Sequence, residues 1–317
     1  MGTEPDAGRR AILYVGRVDR GEAWARITAA NAPDLDFRIF PEMGAAAEIA
    51  YLAAWRIPPG LFGQLPNLRA VFSVGAGVDQ LDVAAIPAGL PLVRMIEPTL
   101  ASEMAAYAAM AALMVQRRLP EYLAQAREGT WRALVARPVA ETAVGLLGLG
   151  TMGRAAASSL MALGFPVLGW SRSPRQIPGI ECHAGPDGLA RLLARSQMLM
   201  CLLPLTGETR GILSAALFAR LPRGAGIVNL GRGGHLVESD LLAALDSGQL
   251  AAAVLDVFET EPLPAGHPFW THPRIVITPH VAATSGDETG IVALLENIRR
   301  LERGERLEGE IDRARGY

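Results

Sequence analysis

Three polar side chains that could take part in catalysis each stand shortly after an apolar run with strand character. They are Arg232, Glu261 and His280. His280 follows a strand and Pro279, and an imidazole is well suited to supplying a proton near neutral pH. The carboxyl ends of parallel strands meet at one edge of an open α/β sheet, where ligands bind. The three groups are therefore expected to converge there, although a lone histidine in this position is more often structural.

The other four histidines are weaker candidates for chemistry. His183 is predicted in a polar loop, and His235 follows a glycine pair, so both are expected at the surface or in turns. His267 and His272 flank a short loop, and no third ligand stands near them at a suitable spacing. No metal site is predicted.

A glycine-rich turn separates the apolar run 143–147 from an alanine-rich segment with helical spacing. Its residues are Gly148, Leu149, Gly150, Thr151, Met152 and Gly153. Glycines allow a tight turn and close backbone approach, and the N–H groups at the start of the following helix can face a pyrophosphate. The turn predicts a dinucleotide site, while an ordinary strand-to-helix turn remains the alternative.

The next strand indicates which dinucleotide is bound. A carboxylate about twenty residues after the first glycine usually binds the ribose 2′-hydroxyl of NAD, but here Ser171, Arg172 and Ser173 occupy that place. A guanidinium can pair with a 2′-phosphate, and neighbouring hydroxyls can donate further hydrogen bonds. NADP is therefore predicted in preference to NAD, with Arg175 as a second cation. A solvated loop that happens to carry arginine is the alternative.

The pattern of apolar runs predicts an α/β protein with two doubly wound parallel sheets. Runs at 11–15, 37–40, 49–55, 69–74 and 92–96 form one set, and runs at 144–147, 167–170, 199–203, 226–230, 252–258 and 274–278 form another. We predict a Rossmann cofactor domain, 102–283, inserted into a flavodoxin-like substrate (catalytic) domain, 1–101 and 284–317. Ser102 and Glu103 are expected to cap a connector helix that reaches residue 118, and an amphipathic helix is predicted over 288–303.

Composition excludes several classes of protein. The chain has 317 residues, of which 50% are hydrophobic, and a net charge of −2, so nucleic acid is an unexpected partner. All 30 basic residues are arginine, which excludes Schiff-base and phosphate-loop lysine chemistry. The N-terminus lacks an apolar signal core, the apolar run 104–115 is too short for a bilayer, and Cys182 and Cys201 form no disulfide framework. A cytoplasmic protein without membrane contact is expected.

Four segments resemble those of the D-isomer-specific 2-hydroxyacid dehydrogenases. They are the glycine turn and the stretches 229–233, 254–262 and 278–283, that is NLGRG, VLDVFETEP and TPHVAA. Within the family, Trp170-Ser171-Arg172-Ser173 and the ending 311–317 resemble the bacterial glyoxylate/hydroxypyruvate reductase A branch.

The resemblance implies roles for individual residues. His280 would be the acid/base, Glu261 its partner, and Arg232 the anchor for the substrate's carboxylate and carbonyl. The Ser73–Asp79 loop resembles one whose backbone, here Ala76 and Gly77, holds the substrate carboxylate, while a plain glycine turn after a strand is the alternative. Trp55 would line the substrate pocket, although a buried core tryptophan is an alternative. The cofactor contacts implied beyond the glycine turn and the Arg172 segment are Leu203, Pro204, Thr209, Leu230 and Asp256, the last meeting the nicotinamide amide.

The expected activity is NADPH-dependent reduction of a small 2-oxo acid, from glyoxylate to glycolate or from hydroxypyruvate to D-glycerate. One alternative is an NAD-dependent D-2-hydroxyacid dehydrogenase for a bulkier 2-oxo acid. Another is a cofactor-sensing, corepressor-like binding protein, because the family includes corepressors with this fold. A homodimer is expected from the apolar connector helix and the family's habit.

Overall fold

The structure of the protein is a computed structural model that describes residues 10–284 and 286–313. The first nine residues and the last four, which include part of the ending compared above, lie outside the described residues. The chain divides into two compact units, residues 1–100 with 285–317 and residues 101–284. Each unit is built on its own parallel sheet.

The strands of the first unit are β1 (Arg10–Val15), β2 (Leu35–Ile39), β3 (Ile49–Ala54), β4 (Ala70–Ser73) and β5 (Leu92–Val93). Those of the second are β6 (Val144–Leu147), β7 (Val167–Ser171), β8 (Glu181–Ala184), β9 (Met198–Cys201), β10 (Ala225–Asn229), β11 (Leu250–Leu255) and β12 (Ile275–Ile277). The helices are α1 (Val18–Asn31), α2 (Pro98–Gln116), α3 (Leu119–Arg127), α4 (Thr151–Ala162), α5 (Gly185–Arg195), α6 (Ala215–Phe218), α7 (Glu238–Asp246) and α8 (Asp287–Glu302). Short 3₁₀ turns cover Ala46–Glu48, Leu61–Gln64, Val83–Ala85, Val139–Glu141, Gly233–His235 and Pro268–Trp270.

The sheet of the first unit has the order β2-β1-β3-β4-β5, and all its strand pairs are parallel. This is the flavodoxin-like order. Every residue of β3 is buried, as expected for a central strand covered on both faces. Helix α8 packs beside α1, where the Arg299 guanidinium donates to the Asn31 carbonyl at 2.7 Å.

The sheet of the second unit has the order β12-β11-β10-β9-β6-β7-β8, again entirely parallel. Counted within the unit, this is the Rossmann order extended by one strand, and the strand order reverses between β6 and β9. Strands β6, β9 and β10 are buried along their whole length. The predicted fold class, two doubly wound parallel sheets, is confirmed.

Two local predictions were wrong. His183 lies in the edge strand β8 rather than in a polar loop, and its side chain is largely buried beside Glu181. The strand was missed because its sequence is polar, and an edge strand needs no continuous apolar run. Helix α2 begins at Pro98 rather than at Ser102, since proline suits the first turn of a helix, where its missing N–H costs nothing.

Within residues 10–284 and 286–313, no helix combines the length and apolar character needed to cross a bilayer.

Candidate active site

His280 and Glu261 form a close pair beyond the carboxyl ends of β11 and β12. His280 Nδ1 lies 2.8 Å from Glu261 Oε2, and both side chains are partly buried. His280 has a left-handed backbone, φ +55°, which costs a non-glycine residue energy and persists only where the surroundings hold it. Its N–H donates to the carbonyl of Asp256 at 2.8 Å. The imidazole is thus held in one place by both its backbone and its ring.

The Glu261 carboxylate is kept ionised by its partners. Burial raises its pKa, but hydrogen bonds from His280 and from the Phe258 N–H, with the positive charges of His280 and Arg232, outweigh burial and lower the pKa overall. The Phe258 N–H donates to Oε1 at 3.0 Å, so each carboxylate oxygen has its own donor. The ionised carboxylate can therefore accept a hydrogen bond from the Nδ1–H of His280, which fixes the orientation of the ring.

Asp256 anchors the segment that carries His280. Its Oδ1 accepts from the Thr278 hydroxyl at 2.6 Å and the Val281 N–H at 2.9 Å, and its Oδ2 accepts from the Ala282 N–H at 2.8 Å. The Thr278 hydroxyl in turn bonds the phenol of Tyr107 on α2. Burial and the charge of Asp256 raise the pKa of Tyr107. Because Thr278 gives its only hydroxyl proton to Asp256, the phenol is the donor in the contact between Tyr107 and Thr278. The described carboxylate contacts of Asp256 thus lie within the segment that carries His280, and the role implied for Asp256 at the nicotinamide stays a prediction.

Arg232 follows β10, the strand next to β11. Its backbone is held by Asn229, whose amide donates to the Arg232 carbonyl at 3.0 Å and whose oxygen accepts from the Gly231 N–H at 3.2 Å. The Arg232 guanidinium donates to the Gly231 carbonyl at 2.8 Å, and its positive charge acts on Glu261. Strand ends β10, β11 and β12 therefore place a guanidinium, a carboxylate and an imidazole in one region, as a proton-donating and anion-binding site requires.

The glycine turn has the shape that a dinucleotide site needs. Gly148 has φ +105°, and a Cβ there would lie 2.7 Å from the Leu202 carbonyl oxygen. A Cβ on Gly153 would lie 1.9 Å from the Gly148 carbonyl oxygen, so only glycine lets helix α4 pack this closely. A Cβ on Gly150, by contrast, would have no residue within 4 Å other than its two chain neighbours. The open space is at the one glycine where a pyrophosphate would approach.

Helix α4 begins immediately after this open space. Gly150 is its N-cap, and Thr151, Met152 and Gly153 form its first turn. The N–H groups of a first helical turn have no partner inside the helix and attract an anion. The residues present therefore fit the pyrophosphate of a dinucleotide cofactor.

Arg172 stands just beyond the end of β7. Its Nη1 lies 3.5 Å from Glu208 Oε2, and both side chains are mostly exposed. Ser171 is buried and donates its hydroxyl to the Ser173 carbonyl at 2.7 Å, so it shapes the turn. Arg175 reaches toward the glycine turn, with Nη1 3.5 Å from the Leu149 carbonyl. Arg172 thus follows β7 directly, and Arg175 lies near the glycine turn.

The loop after β9 is held by its own threonines. The Thr209 hydroxyl accepts from the Thr206 N–H at 2.8 Å and donates to the Pro204 carbonyl at 2.7 Å. Leu203 is buried at the start of this loop. Leu230 is buried just after β10, and its N–H donates to the Cys201 carbonyl at 3.0 Å. These residues border the sheet edge next to the glycine turn.

In the first unit, the Gly75 loop and Trp55 lie together beyond β4 and β3. A Cβ on Gly75 would lie 2.7 Å from the Trp55 ring, so the indole rests directly on the loop. The Ser73 hydroxyl donates to the Gly77 carbonyl at 2.6 Å and ties the loop back to its strand. Ala76 and Gly77 are partly exposed. Trp55 is also only partly buried, unlike a core tryptophan such as Trp24.

His235 was predicted at the surface or in a turn. It does lie in a turn, but it is fully buried, because its ring packs against Gly231 and bonds the backbone of Arg232. The spacing Arg-Gly-Gly-His was the available signal, since it places the ring one 3₁₀ turn beyond Arg232.

Other reactive groups have structural surroundings. His267 lies 3.1 Å from Glu238 and His272 3.6 Å from Asp246. Burial raises the pKa of Cys201 to about 12, so its thiol is no nucleophile at neutral pH. The described part of the chain holds no group of three or more side chains suited to a metal ion.

Comparisons with known proteins agree with this geometry. The family model for the NAD-binding domain of the D-isomer specific 2-hydroxyacid dehydrogenases matches residues 109–282. Glyoxylate/hydroxypyruvate reductase A of Serratia proteamaculans is 41% identical over 312 residues, covering 96% of this chain and 99% of the relative.

Solved structures give the same result. A D-isomer specific 2-hydroxyacid dehydrogenase from Xanthobacter autotrophicus Py2, in complex with NADPH and MES, is 40% identical with a TM-score of 0.91, covering 98% of this chain and 100% of that one. An NADPH-dependent glyoxylate/hydroxypyruvate reductase from Sinorhizobium meliloti, in complex with NADP and sulfate, is 39% identical with a TM-score of 0.89, covering 97% of this chain and 100% of that one. The predicted resemblance to the reductase A branch is confirmed. With its glycine turn and its arginine, glutamate and histidine at adjacent strand ends, the chain belongs to the D-isomer specific 2-hydroxyacid dehydrogenases.

Proposed function

We propose that this protein is an NADPH-dependent reductase of small 2-oxo acids. It would convert glyoxylate to glycolate and hydroxypyruvate to D-glycerate, consuming one NADPH and one proton for each molecule reduced. The observation that carries the proposal is the His280–Glu261 pair, 2.8 Å apart, with Arg232 on the neighbouring strand end. The similarity to proteins named glyoxylate/hydroxypyruvate reductase A supports this choice of substrates.

His280 acts as the acid in this mechanism. Bound NADPH supplies the hydride that reaches the carbonyl carbon. The His280 imidazolium gives the proton on Nε2 to the carbonyl oxygen, while its Nδ1–H stays on Glu261. Because the Glu261 pKa is lowered, the carboxylate remains ionised and does not take that proton. Proton delivery thus coincides with the build-up of negative charge on the oxygen.

Arg232 selects a 2-oxo acid over a simple ketone. Its guanidinium can pair with the substrate carboxylate and also stabilise charge on the carbonyl oxygen. We propose that the backbone of Ala76 and Gly77 also binds the carboxylate, and that the Trp55 indole limits the size of the substrate. The close packing of Trp55 on Gly75 supports a small substrate.

The cofactor is bound by residues of the second unit. Gly148, Gly150 and the first turn of α4 would hold the pyrophosphate, and Arg172 would pair with the 2′-phosphate in place of Glu208. The remaining contacts that we propose are Thr151, Met152, Gly153, Ser171, Ser173, Leu203, Pro204, Thr209, Leu230 and Asp256. Relatives in complex with NADPH or NADP support this preference.

We further propose that residues 102–283 form the cofactor domain and residues 1–101 with 284–317 the substrate domain. Cys182 and Cys201 are both free thiols, which supports a reducing, cytoplasmic compartment.

We propose that the protein is a homodimer, on the basis of an exposed segment, residues 130–137, that lies along α3 and is called the strap below. The Tyr122 hydroxyl accepts from the Leu134 N–H at 2.9 Å, and Gln125 Oε1 accepts from the Arg132 N–H at 3.2 Å. The strap is therefore held in place, yet its Trp131 is fully exposed and Val135 nearly so. Large apolar side chains on a fixed backbone are typical of an interface. Light scattering should give a dimer for the parent and a monomer for Trp131→Glu, whereas a monomeric parent at all concentrations would contradict the proposal.

The function is tested by a panel of 2-oxo acids with NADPH and NADH. We expect the highest kcat/KM with glyoxylate or hydroxypyruvate and NADPH, and a loss of about 100-fold or more in His280→Ala, since general acid catalysis contributes on the order of 10² to 10⁴. A preference for bulky 2-oxo acids with NADH would favour the alternative dehydrogenase. Cofactor binding by calorimetry with no turnover of any 2-oxo acid would favour a sensing protein.

A further inference from the structure

His235 connects two loops that the proposed mechanism treats separately. Its side chain has 0% exposure. Its Nδ1 accepts a hydrogen bond from the backbone N–H of Arg232 at 3.0 Å, and its Nε2 lies 3.3 Å from the Pro204 carbonyl oxygen. One ring therefore touches both the loop of the substrate anchor and the loop proposed to hold the cofactor.

The two partners determine which tautomer is present. A backbone N–H can only donate and a carbonyl oxygen can only accept, so Nδ1 must be bare and Nε2 must carry the proton. Few side chains offer an acceptor and a donor at this separation on one rigid ring. A phenyl ring of similar size would leave the Arg232 N–H and the Pro204 carbonyl without this partner.

The surrounding backbone leaves the Arg232 loop little freedom. A Cβ on Gly231 would lie 2.8 Å from His235 Nδ1, and a Cβ on Gly233 would lie 1.8 Å from the carbonyl carbon of Phe258. Phe258 in turn donates its N–H to Glu261. The Arg232 loop thus lies between the His235 ring and residues 258–261, which include Glu261, the partner of His280.

We infer that His235 is a positioning residue, which in its Nε2–H tautomer sets the backbone of Arg232 relative to the Leu203–Pro204 loop. This inference rests on the proposed roles of Arg232 and of that loop. The Nδ1 contact governs how the guanidinium meets the 2-oxo acid, and the Nε2 contact governs the cofactor loop.

Two substitutions separate these contacts. His235→Asn places an amide oxygen near the position of Nδ1 and keeps an acceptor for the Arg232 N–H, but it is too short to reach Pro204. His235→Gln places an amide nitrogen near the position of Nε2 and keeps the donor to Pro204, but it removes the acceptor. One neutral hydrogen bond corresponds to about a 2- to 12-fold change in affinity.

We expect His235→Gln to raise KM for glyoxylate by about tenfold with little change in KM for NADPH, and His235→Asn to show the reverse pattern. Thermal unfolding identifies variants that fail to fold. His267→Gln is the matched control, because its Nδ1 also accepts a backbone N–H, that of Phe269 at 3.3 Å, and its Nε2 lies 3.1 Å from Glu238, yet it touches neither loop. Its KM values should match those of the parent.

A second readout does not depend on activity. Nitrogen-15 NMR of the imidazole rings, with the His235 signal assigned by its loss in a variant, should show a protonated Nε2 and a bare Nδ1. The opposite tautomer, or equal effects of both variants on the two KM values, would overturn the inference. A parent enzyme that turns over no 2-oxo acid would instead refute the proposed function, while the NMR result still reports on His235.

Discussion

Replacing Glu261 by glutamine tests the proposed acid directly. The change keeps the size of the side chain but removes its charge, 2.8 Å from His280 Nδ1, in a pair whose side chains are 31% and 28% exposed. A charge-assisted hydrogen bond is worth about 1.5–3 kcal/mol. The Coulomb energy at an effective dielectric constant of 20, about 4 kcal/mol at 4 Å, is an upper limit that partial exposure reduces. We therefore expect kcat/KM for glyoxylate to fall by about 10- to 100-fold.

A matched control separates the loss of this pair from a general loss of negative charge. Steady-state kinetics with NADPH would compare the two variants with the parent at one pH. Glu259→Gln is the control, because it removes the charge of an exposed carboxylate paired with Arg210 at 2.9 Å. If Glu261→Gln and Glu259→Gln lower kcat/KM equally and only slightly, the acid assignment is refuted.

The lowered pKa of Glu261 also predicts how this pair affects stability. Because the pKa in the folded protein lies below its ordinary value of 4.5, the pair stabilises the fold above about pH 4.5, and the contribution disappears as pH falls through the lower, folded-state value. The difference in unfolding free energy between parent and Glu261→Gln should therefore shrink in acid. A difference that stays constant from pH 7 to pH 3 would contradict this.

Four further substitutions concern the proposed cofactor site and the segment that carries His280. Arg172→Ala should raise KM for NADPH by about tenfold or more and leave KM for NADH nearly unchanged, because only the 2′-phosphate contact is lost; an equal effect on both cofactors would contradict the assignment. Asp256→Asn should lower the free energy of unfolding by about 1–3 kcal/mol, measured by urea denaturation, because an amide cannot accept all three hydrogen bonds of the buried carboxylate. Gly150→Ala should unfold at the parent's temperature, since no residue other than its chain neighbours lies within 4 Å of the new Cβ. It should bind NADPH weakly in calorimetry, because the new methyl group occupies the space proposed for the pyrophosphate. Gly153→Ala should instead lose stability, since its Cβ would lie 1.9 Å from the Gly148 carbonyl oxygen.

Local patterns predicted most of the architecture and several site residues. The glycine turn combines a positive φ, an open approach and a close helix contact within six residues, so its composition alone indicates the conformation. The apolar runs predicted all the buried strands of both sheets, because a strand covered on both faces must be apolar along its length. Arg232, Glu261 and His280 were found for the same reason, since each follows such a run.

Features that depend on a distant neighbour escaped this reasoning. Strand β8 carries the polar residues Glu181 and His183. It can do so because it is the edge strand of its sheet and pairs only with β7. In the sequence, Asp256 is simply an acidic residue after a strand. In the structure, its carboxylate accepts three hydrogen bonds, all from residues 278–282. No spacing in the sequence indicates that pairing, because it requires β11 and β12 to lie side by side first.

His235 shows most clearly which properties follow from the local sequence and which depend on the tertiary structure. Its chain neighbours, two glycines and an arginine, predict a turn, and a turn is what forms, because glycine permits it locally. Its tautomer depends on Pro204 as well as on Arg232, and Pro204, which lies 31 residues earlier in the chain, comes near when β9 and β10 pair. Residue types and short spacings were sufficient to predict the fold class and the glycine turn, and to select Arg232, Glu261 and His280 as candidate reacting groups. The protonation, orientation and mutual support of those groups came from packing between segments far apart in the chain, because hydrogen bonds and burial depend on distance in space.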